Sequence, residues 1–320
     1  LAMGQKIVIL DEPLANLDTA GAEMLMSTLK SLAKAGYCII VIEHRLDVVL
    51  PFVDKVFHVG NRNVNEITDR ENYLKEQSTE IEDTCSTFSG TLPAFSLADV
   101  AFAVKERDIL NGVTFDILKG SRTVLLGENG CGKTTLLRLI SRLEKPTRGV
   151  ILQNIDDKFG QKSKQSKKWY KKVGVVYQNP DYQLFMQTVE KEIKFGAKSD
   201  EYADEIAEKF GIKHLYARHP QSLSEGQKRR VSIAAVVATD PEVLILDEPT
   251  VGQDYKGLCE MVEVLNKLHE EAHNTMITVT HDKRCAAALC DKSVWIKNGK
   301  TYKTGGKELV DEFFIQIGVN

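Results

Sequence analysis

Three things are scarce in this 320-residue chain, and each scarcity excludes a class of protein. Long apolar runs are absent: residues 7–10, 38–42 and 233–238 are short pieces, far below the roughly 20 apolar residues that span a bilayer. There is no excess of positive charge. Lys and Arg number 42 against 45 Asp and Glu, a net charge of −3, whereas a protein that holds nucleic acid by bulk electrostatics is usually basic. Paired cysteines are missing too. The six cysteines (Cys38, Cys85, Cys131, Cys259, Cys285 and Cys290) include no CxxC pair, so neither a zinc finger nor a disulfide scaffold is expected, and free thiols fit a reducing compartment. What is present is ordinary for a soluble globular chain: 42% hydrophobic and 27% charged residues. At about 150 residues per domain, the length predicts about two domains.

An internal repeat sets the organisation. Ile7-Val-Ile-Leu-Asp11-Glu12-Pro13 recurs as Val243-Leu-Ile-Leu-Asp247-Glu248-Pro249. Asp18 pairs with Asp254 at the same offset, and His44 pairs with His281 after a slip of one residue. Each copy reads as apolar strand, Asp-Glu-Pro, a loop with Asp, an amphipathic helix, a second apolar strand and His. Helical spacing puts Leu25, Leu29 and Leu32 on one face in the first copy, before Gly36, and Val262, Leu265 and Leu268 in the second. A period this long signals two related domains rather than a solenoid. The second copy is preceded by more than a hundred residues and the first by only ten. The expectation is therefore a C-terminal part of a first domain over residues 1–65, a helix end followed by a polar linker over 66–95 and an entire second domain over 96–320. The chain opens on Leu1 with a strand-like run almost at once, which implies that an N-terminal part of the first domain is lacking.

Gly127-Glu128-Asn129-Gly130-Cys131-Gly132-Lys133-Thr134 fits the phosphate-loop pattern GxxxxGK[ST], between a strand-like run (123–126) and a helix-like one (134–140) that begins Thr134-Thr135. Glycines let backbone N–H groups turn toward phosphate oxygens, and a helix N-terminus adds a favourable dipole. Lys133 is placed to reach the outer phosphates of a bound ligand, and the Thr134 hydroxyl to help hold Mg²⁺. Asp247 ends a run of four apolar residues, the form of a buried parallel strand, and its carboxylate is a second candidate Mg²⁺ ligand. Glu248 follows it and is placed to polarise a water as general base.

Leu223-Ser224-Glu225-Gly226-Gln227 reads locally as a capping box opening a helix. With the phosphate loop and the repeat, it also resembles the LSGGQ signature of the ATP-binding cassette (ABC) family, with Glu225 in place of one glycine. The resemblance implies an α/β fold: a core mixed sheet with an antiparallel β portion near 97–117 and a helical subdomain over about 181–239. It implies that the signature faces the γ-phosphate of ATP on an opposing cassette paired head to tail, where Glu225 should turn its carboxylate away from the ligand. It further implies that Gln178 contacts Mg²⁺ and the attacking water, that His281 contacts the γ-phosphate, and that Asp254 and Asp18 belong to the loop after the acidic motif. Asp11, Glu12 and His44 are the first copy's counterparts. Val104 stands where the family places an adenine-stacking aromatic, so no stacking residue is assigned, and neighbouring Phe102 is expected in the core.

The stretch Gln178-Asn-Pro-Asp-Tyr-Gln-Leu-Phe185 is similar to the energy-coupling-factor branch, which serves cobalt, nickel and vitamin uptake. That likeness implies an ATPase on the cytoplasmic face of the cell membrane, partnered by transmembrane subunits and a substrate-binding membrane component, with no direct contact to nucleic acid. The competing reading is a soluble tandem-cassette ATPase acting on ribosomes or nucleic acid; the short, non-basic 66–95 stretch argues against it. A P-loop kinase of small molecules accounts for neither the signature nor the repeat. The basic run 158–172 is expected to be a solvated loop.

Overall fold

A computed structural model describes residues 6–14, 17, 19–60, 62–76, 81, 88–105, 107–155 and 167–318. The first stretch runs β1 (Ile7–Asp11), α1 (Thr19–Lys34), β2 (Cys38–Ile42), α2 (Leu46–Val49), β3 (Phe57–Gly60), β4 (Asn63–Glu66) and α3 (Arg70–Glu76). β1 and β2 pair in parallel, and β3 and β4 form a separate antiparallel hairpin. A small cluster of Leu14, Ala22, Met26, Leu29, Val48 and Val49 covers one side of β1–β2. The other side carries Ile7, Ile9, Ile40 and Ile42, each about half to two-thirds exposed. The buried stripe of α1 is Ala22, Met26 and Leu29, while Leu25 and Leu32 pack against its flank.

The second stretch begins with a sheet of β5 (Pro93–Val104) and β6 (Arg107–Leu118), joined on the far side of β5 by β8 (Arg148–Gln153), all antiparallel. The β portion expected over 97–117 is therefore longer at both ends, and β5 starts inside the stretch expected to be linker, which also holds α3. Residues 77–80 and 82–87 of that stretch lie outside the described residues. β7 (Arg122–Leu126) leads into α4 (Lys133–Ile140). α5 (Lys167–Lys172) precedes β9 (Val173–Val176), followed by the helical subdomain α6 (Val189–Lys194), α7 (Asp200–Lys209) and α8 (Glu225–Val237). β10 (Val243–Asp247), α9 (Tyr255–Ala272), β11 (Thr275–Val279), α10 (Lys283–Ala288), β12 (Lys292–Lys297), β13 (Lys300–Gly305) and α11 (Lys307–Gln316) complete it. The end of the basic run is thus helix rather than loop: within α5, Trp169 is buried, with the Arg142 guanidinium 4.7 Å from its ring centroid. The rest of that run lies outside the described residues.

The central sheet has the order β13-β12-β7-β11-β10-β9, parallel except for the edge strand β13. Alternation along β10 explains how the layers assemble. Val243 and Ile245 face the side occupied by α4 and the β5–β6 sheet, where Leu136, Leu137 and Ile140 meet them. Leu244 and Leu246 face α8 and α9, against Leu258, Val262 and Leu265. A strand covered on both faces must be apolar throughout, and β7, β10 and β11 are buried at every residue. The carboxyl ends of these three strands open on one side of the sheet, where ligands of open α/β sheets bind.

Candidate functional site

The loop 127–132 joins β7 to α4. Gly127 has φ of +152°, and a Cβ there would sit 2.5 Å from both Cys131 Sγ and the carbonyl oxygen of Ile296, so only glycine fits. Lys133 is buried and curls back over the loop, its Nζ donating to the carbonyls of Gly127 at 2.6 Å and Glu128 at 3.0 Å. Thr134 Oγ1 donates to Asp247 Oδ2 at 3.3 Å, so the first helical turn and the end of β10 meet directly. Burial holds the Asp247 carboxyl above its usual range, opposed by that hydrogen bond. Burial also raises the Cys131 thiol.

Glu248 is the most unusual group present. It has a left-handed φ of +54°, is buried, and its N–H donates to the Val279 carbonyl at 2.8 Å. Its Oε2 accepts from the His281 N–H at 3.2 Å. Its Oε1 lies 3.4 Å from His281 Nε2 and makes no hydrogen bond. Burial, and then the neighbouring charge of Asp247, push its carboxyl up to about 8. A carboxyl held this way, with an unpartnered oxygen, has a position for a further donor such as water.

Two adjoining clefts meet here, of about 820 and 690 Å³, and both are lined by Asn129, Gly130, Thr134, Gln178 and Asp247. The smaller adds Glu128, Cys131, Gly132, Lys133, Thr135, Glu248 and His281. The larger adds Arg229, Glu225 and, from the first stretch, Glu12. Neither is lined by Asp11, His44, Leu223, Ser224, Gly226, Gln227 or Asp254. Asp18 lies outside the described residues. Val104 is half-exposed and lines neither cleft, and Phe102 packs against the core as expected.

The signature stretch forms the predicted capping box: Ser224 Oγ accepts from Gln227 N–H at 3.3 Å, and Gln227 Oε1 accepts from Ser224 N–H at 3.2 Å. Glu225 pairs with Lys228 at 3.1 Å, and Lys228 also reaches Asp181 at 3.0 Å. Gly226 abuts the loop after Thr250: a Cβ on it would lie 2.6 Å from the Gly252 carbonyl oxygen, and Gln253 Nε2 donates to the Gly226 carbonyl at 2.8 Å. Asp254 caps α9, accepting from Gly257 N–H at 2.7 Å. Two residues to which the sequence reading gave no role also shape this region. Arg229 donates to the carbonyls of Tyr177, at 2.7 Å, and Gln178. Gln183 accepts from Tyr177 N–H at 2.9 Å and donates to the Val175 carbonyl at 2.7 Å. The one available signal was the placing of Arg229 on a helix whose buried positions include Val231, Ile233 and Ala234.

In the first copy, β1 and β2 bring Asp11, Glu12 and His44 together. Glu12 also has a left-handed φ, +44°, its N–H donates to the Ile42 carbonyl at 2.9 Å, and its Oε1 lies 3.5 Å from His44 Nε2. The hydrogen bond from His44 holds the Glu12 carboxyl below its usual value, and Glu12 holds the His44 imidazole above its own.

The family profile described as ABC transporter matches residues 110–251. The energy-coupling factor transporter ATP-binding protein EcfA2 of Enterococcus faecalis (strain ATCC 700802 / V583) is 40% identical over 221 residues, 64% of this chain and 74% of that protein. The chain belongs to the ABC transporter family. YkoD of Bacillus subtilis (strain 168), provisionally named an HMP/thiamine import ATP-binding protein, is 31% identical to this ABC chain over 91% of its length. The chain spans 60% of that relative's length. Among solved structures, CbiO1 of Clostridium perfringens, described as part of the ABC transporter complex CbiONQ, aligns with a TM-score of 0.61 and 32% identity, over 69% of this chain and 92% of that one.

Proposed function

We propose that the chain binds ATP with Mg²⁺ in the clefts beside the 127–134 loop and hydrolyses it to drive a membrane importer of the energy-coupling-factor type. The observation that carries this reading is the contact of Thr134 with Asp247, which puts a hydroxyl and a carboxylate at the edge of a glycine loop whose lysine is already directed into it. Among the described residues no cluster of three or more His, Cys, Asp or Glu forms a metal cage. The oxygens of Thr134, Asp247 and Gln178 instead suit a hard cation that shares its shell with phosphates. Mg²⁺ there would neutralise charge on the transferred phosphoryl group. Backbone N–H groups of 128–135 and the Lys133 ammonium bind the phosphates. Glu248, whose Oε1 has no hydrogen-bond partner while its Oε2 is held by the His281 N–H, is placed to orient the attacking water.

Leu223–Gln227 and Asp254 act on nucleotide held by an opposing cassette, paired head to tail, and Asp11, Glu12, His44 and Asp18 are the acidic and histidine parts of a second cassette over 1–65. Among the described residues no helix is long and apolar enough to cross a membrane. The chain works peripherally, on transmembrane subunits at the cytoplasmic face, with a vitamin or transition-metal ion as cargo chosen by a membrane component. The names of EcfA2 and YkoD support this reading.

Lys133→Ala tests the nucleotide site. Losing a charge-assisted contact to phosphate should weaken ATP binding about 10–100-fold by calorimetry; affinity within threefold of wild type would overturn it. Recovery of the tagged chain with membranes, and not with ribosomes on sedimentation, tests the transport assignment against the ribosomal one.

A further inference from the structure

Arg229 presents a problem that the nucleotide site does not explain. Arg229 is 2% exposed, and among the described contacts its guanidinium makes no hydrogen bond to a carboxylate. Burying a cation in this way is costly, and Nε is left without any partner. Burial accordingly lowers the guanidinium to about 10, opposed by the charges of Glu248, Asp247 and Glu225. What Arg229 holds is specific. β9 pairs with β10 only as far as Val176, so Tyr177 and Gln178 lie beyond the end of that ladder. Arg229 Nη1 and Nη2 take one each, while Gln183 takes the Tyr177 N–H. The backbone that carries Gln178 is therefore gripped from two sides, and one grip comes from α8, the helix that Ser224 caps.

We infer that Arg229 is a positioning residue that ties the signature helix to the Gln178 backbone, so that the aim of Gln178 into the nucleotide clefts follows the position of α8. A neutral donor would satisfy the same carbonyls, but charge-assisted hydrogen bonds are roughly twice as strong as neutral ones and hold under displacement of the helix. The inference rests on the reading that Gln178 works on bound Mg²⁺–ATP.

The test is a double-mutant cycle on the chain, read as kcat for ATP and as Kd for a fluorescent ATP analogue. Arg229→Met should lower kcat at least ~10-fold with Kd within ~2-fold, and should cost less than ~2-fold further in a Gln178→Ala background. Arg229→Lys, which keeps the charge and reaches one carbonyl, should recover much of kcat. If Arg229→Met does not fold, Arg229→Gln takes its place in the cycle. Amide hydrogen exchange at 177–179 should accelerate in the Met or Gln variant. An equal kcat loss in both backgrounds, or unchanged exchange at 177–179, overturns the tie. Wild-type kcat in Gln178→Ala alone, with faster exchange in the Arg229 variant, would overturn the role of Gln178 and leave the tie standing.

Discussion

The two acidic strand ends form a comparison inside one chain. At Asp11-Glu12 and at Asp247-Glu248 the backbone does the same things. A parallel pair is in matched register, with Asp11 opposite Ile42 and Asp247 opposite Val279. A glutamate takes a left-handed φ, its N–H returns to the neighbouring strand, and a histidine stands 3.4–3.5 Å from its Oε1. The electrostatics are opposite. Glu12 keeps its charge against a raised His44, while Glu248 is pushed up to about 8. Local sequence is enough to build the geometry; the altered acidity depends on β7, β9 and α4 closing over β10 and β11. β1 and β2 have no such cover among the described residues, and their outer isoleucines are exposed.

The widest gap between the copies should appear in turnover. Glu248→Gln should cut the ATPase rate per chain about 10²–10⁴-fold while leaving ATP binding within about threefold. Glu12→Gln should change the rate less than about threefold. Rates measured across protein concentration check both, and equal losses would erase the functional asymmetry. Stability should separate the copies next. Ile245→Ala and Ile9→Ala remove the same side chain from the same place in the repeated strand. The first is fully buried and should cost about 2–5 kcal/mol. The second is 65% exposed and should cost no more than about 0.5 kcal/mol by denaturant unfolding.

The smallest effect concerns protons. The His44 imidazole should titrate above its ordinary 6.5 by NMR, and Glu12→Gln should bring it down. Because the folded His44 value is raised, its contribution to stability is complete below 6.5 and lost as pH rises through the folded value. The lowered Glu12 makes a contribution present above 4.5 and lost as pH falls through its own folded value. Both groups are partly solvated, so solvent screening holds the pair to no more than ~0.5 kcal/mol. A His44 midpoint at or below 6.5 would break the contrast with Glu248.

Much of this was legible in residue order because the motifs are local. A glycine loop between strand and helix, an apolar run ending in Asp-Glu and a Ser-x-x-Gln box each specify their own backbone, and the repeat duplicated one of them. What was not legible depends on contacts distant in sequence. Nothing near Arg229 announces that it reaches back to Tyr177 and Gln178, and Trp169 is buried inside what composition alone makes a solvated basic run. In the stretch 66–95 a helix end was legible as α3, whereas the start of β5, with buried Ala94 and Phe95, follows a polar, Ser/Thr-rich run that gives no sign of a strand.

The contact of Gly226 with the Gly252 carbonyl leaves no clearance between the first turn of α8 and the loop that ends at Asp254. Two parts that touch backbone to backbone behave as a gear mesh without backlash. Moving the loop that ends at Asp254 therefore changes the space left for the first turn of α8, and the reverse holds as well. The same lack of slack means that drift at either position is not forgiven at the other: a methyl group added at 226 can be accommodated only if the 250–254 loop retreats, which would carry the α9 cap with it.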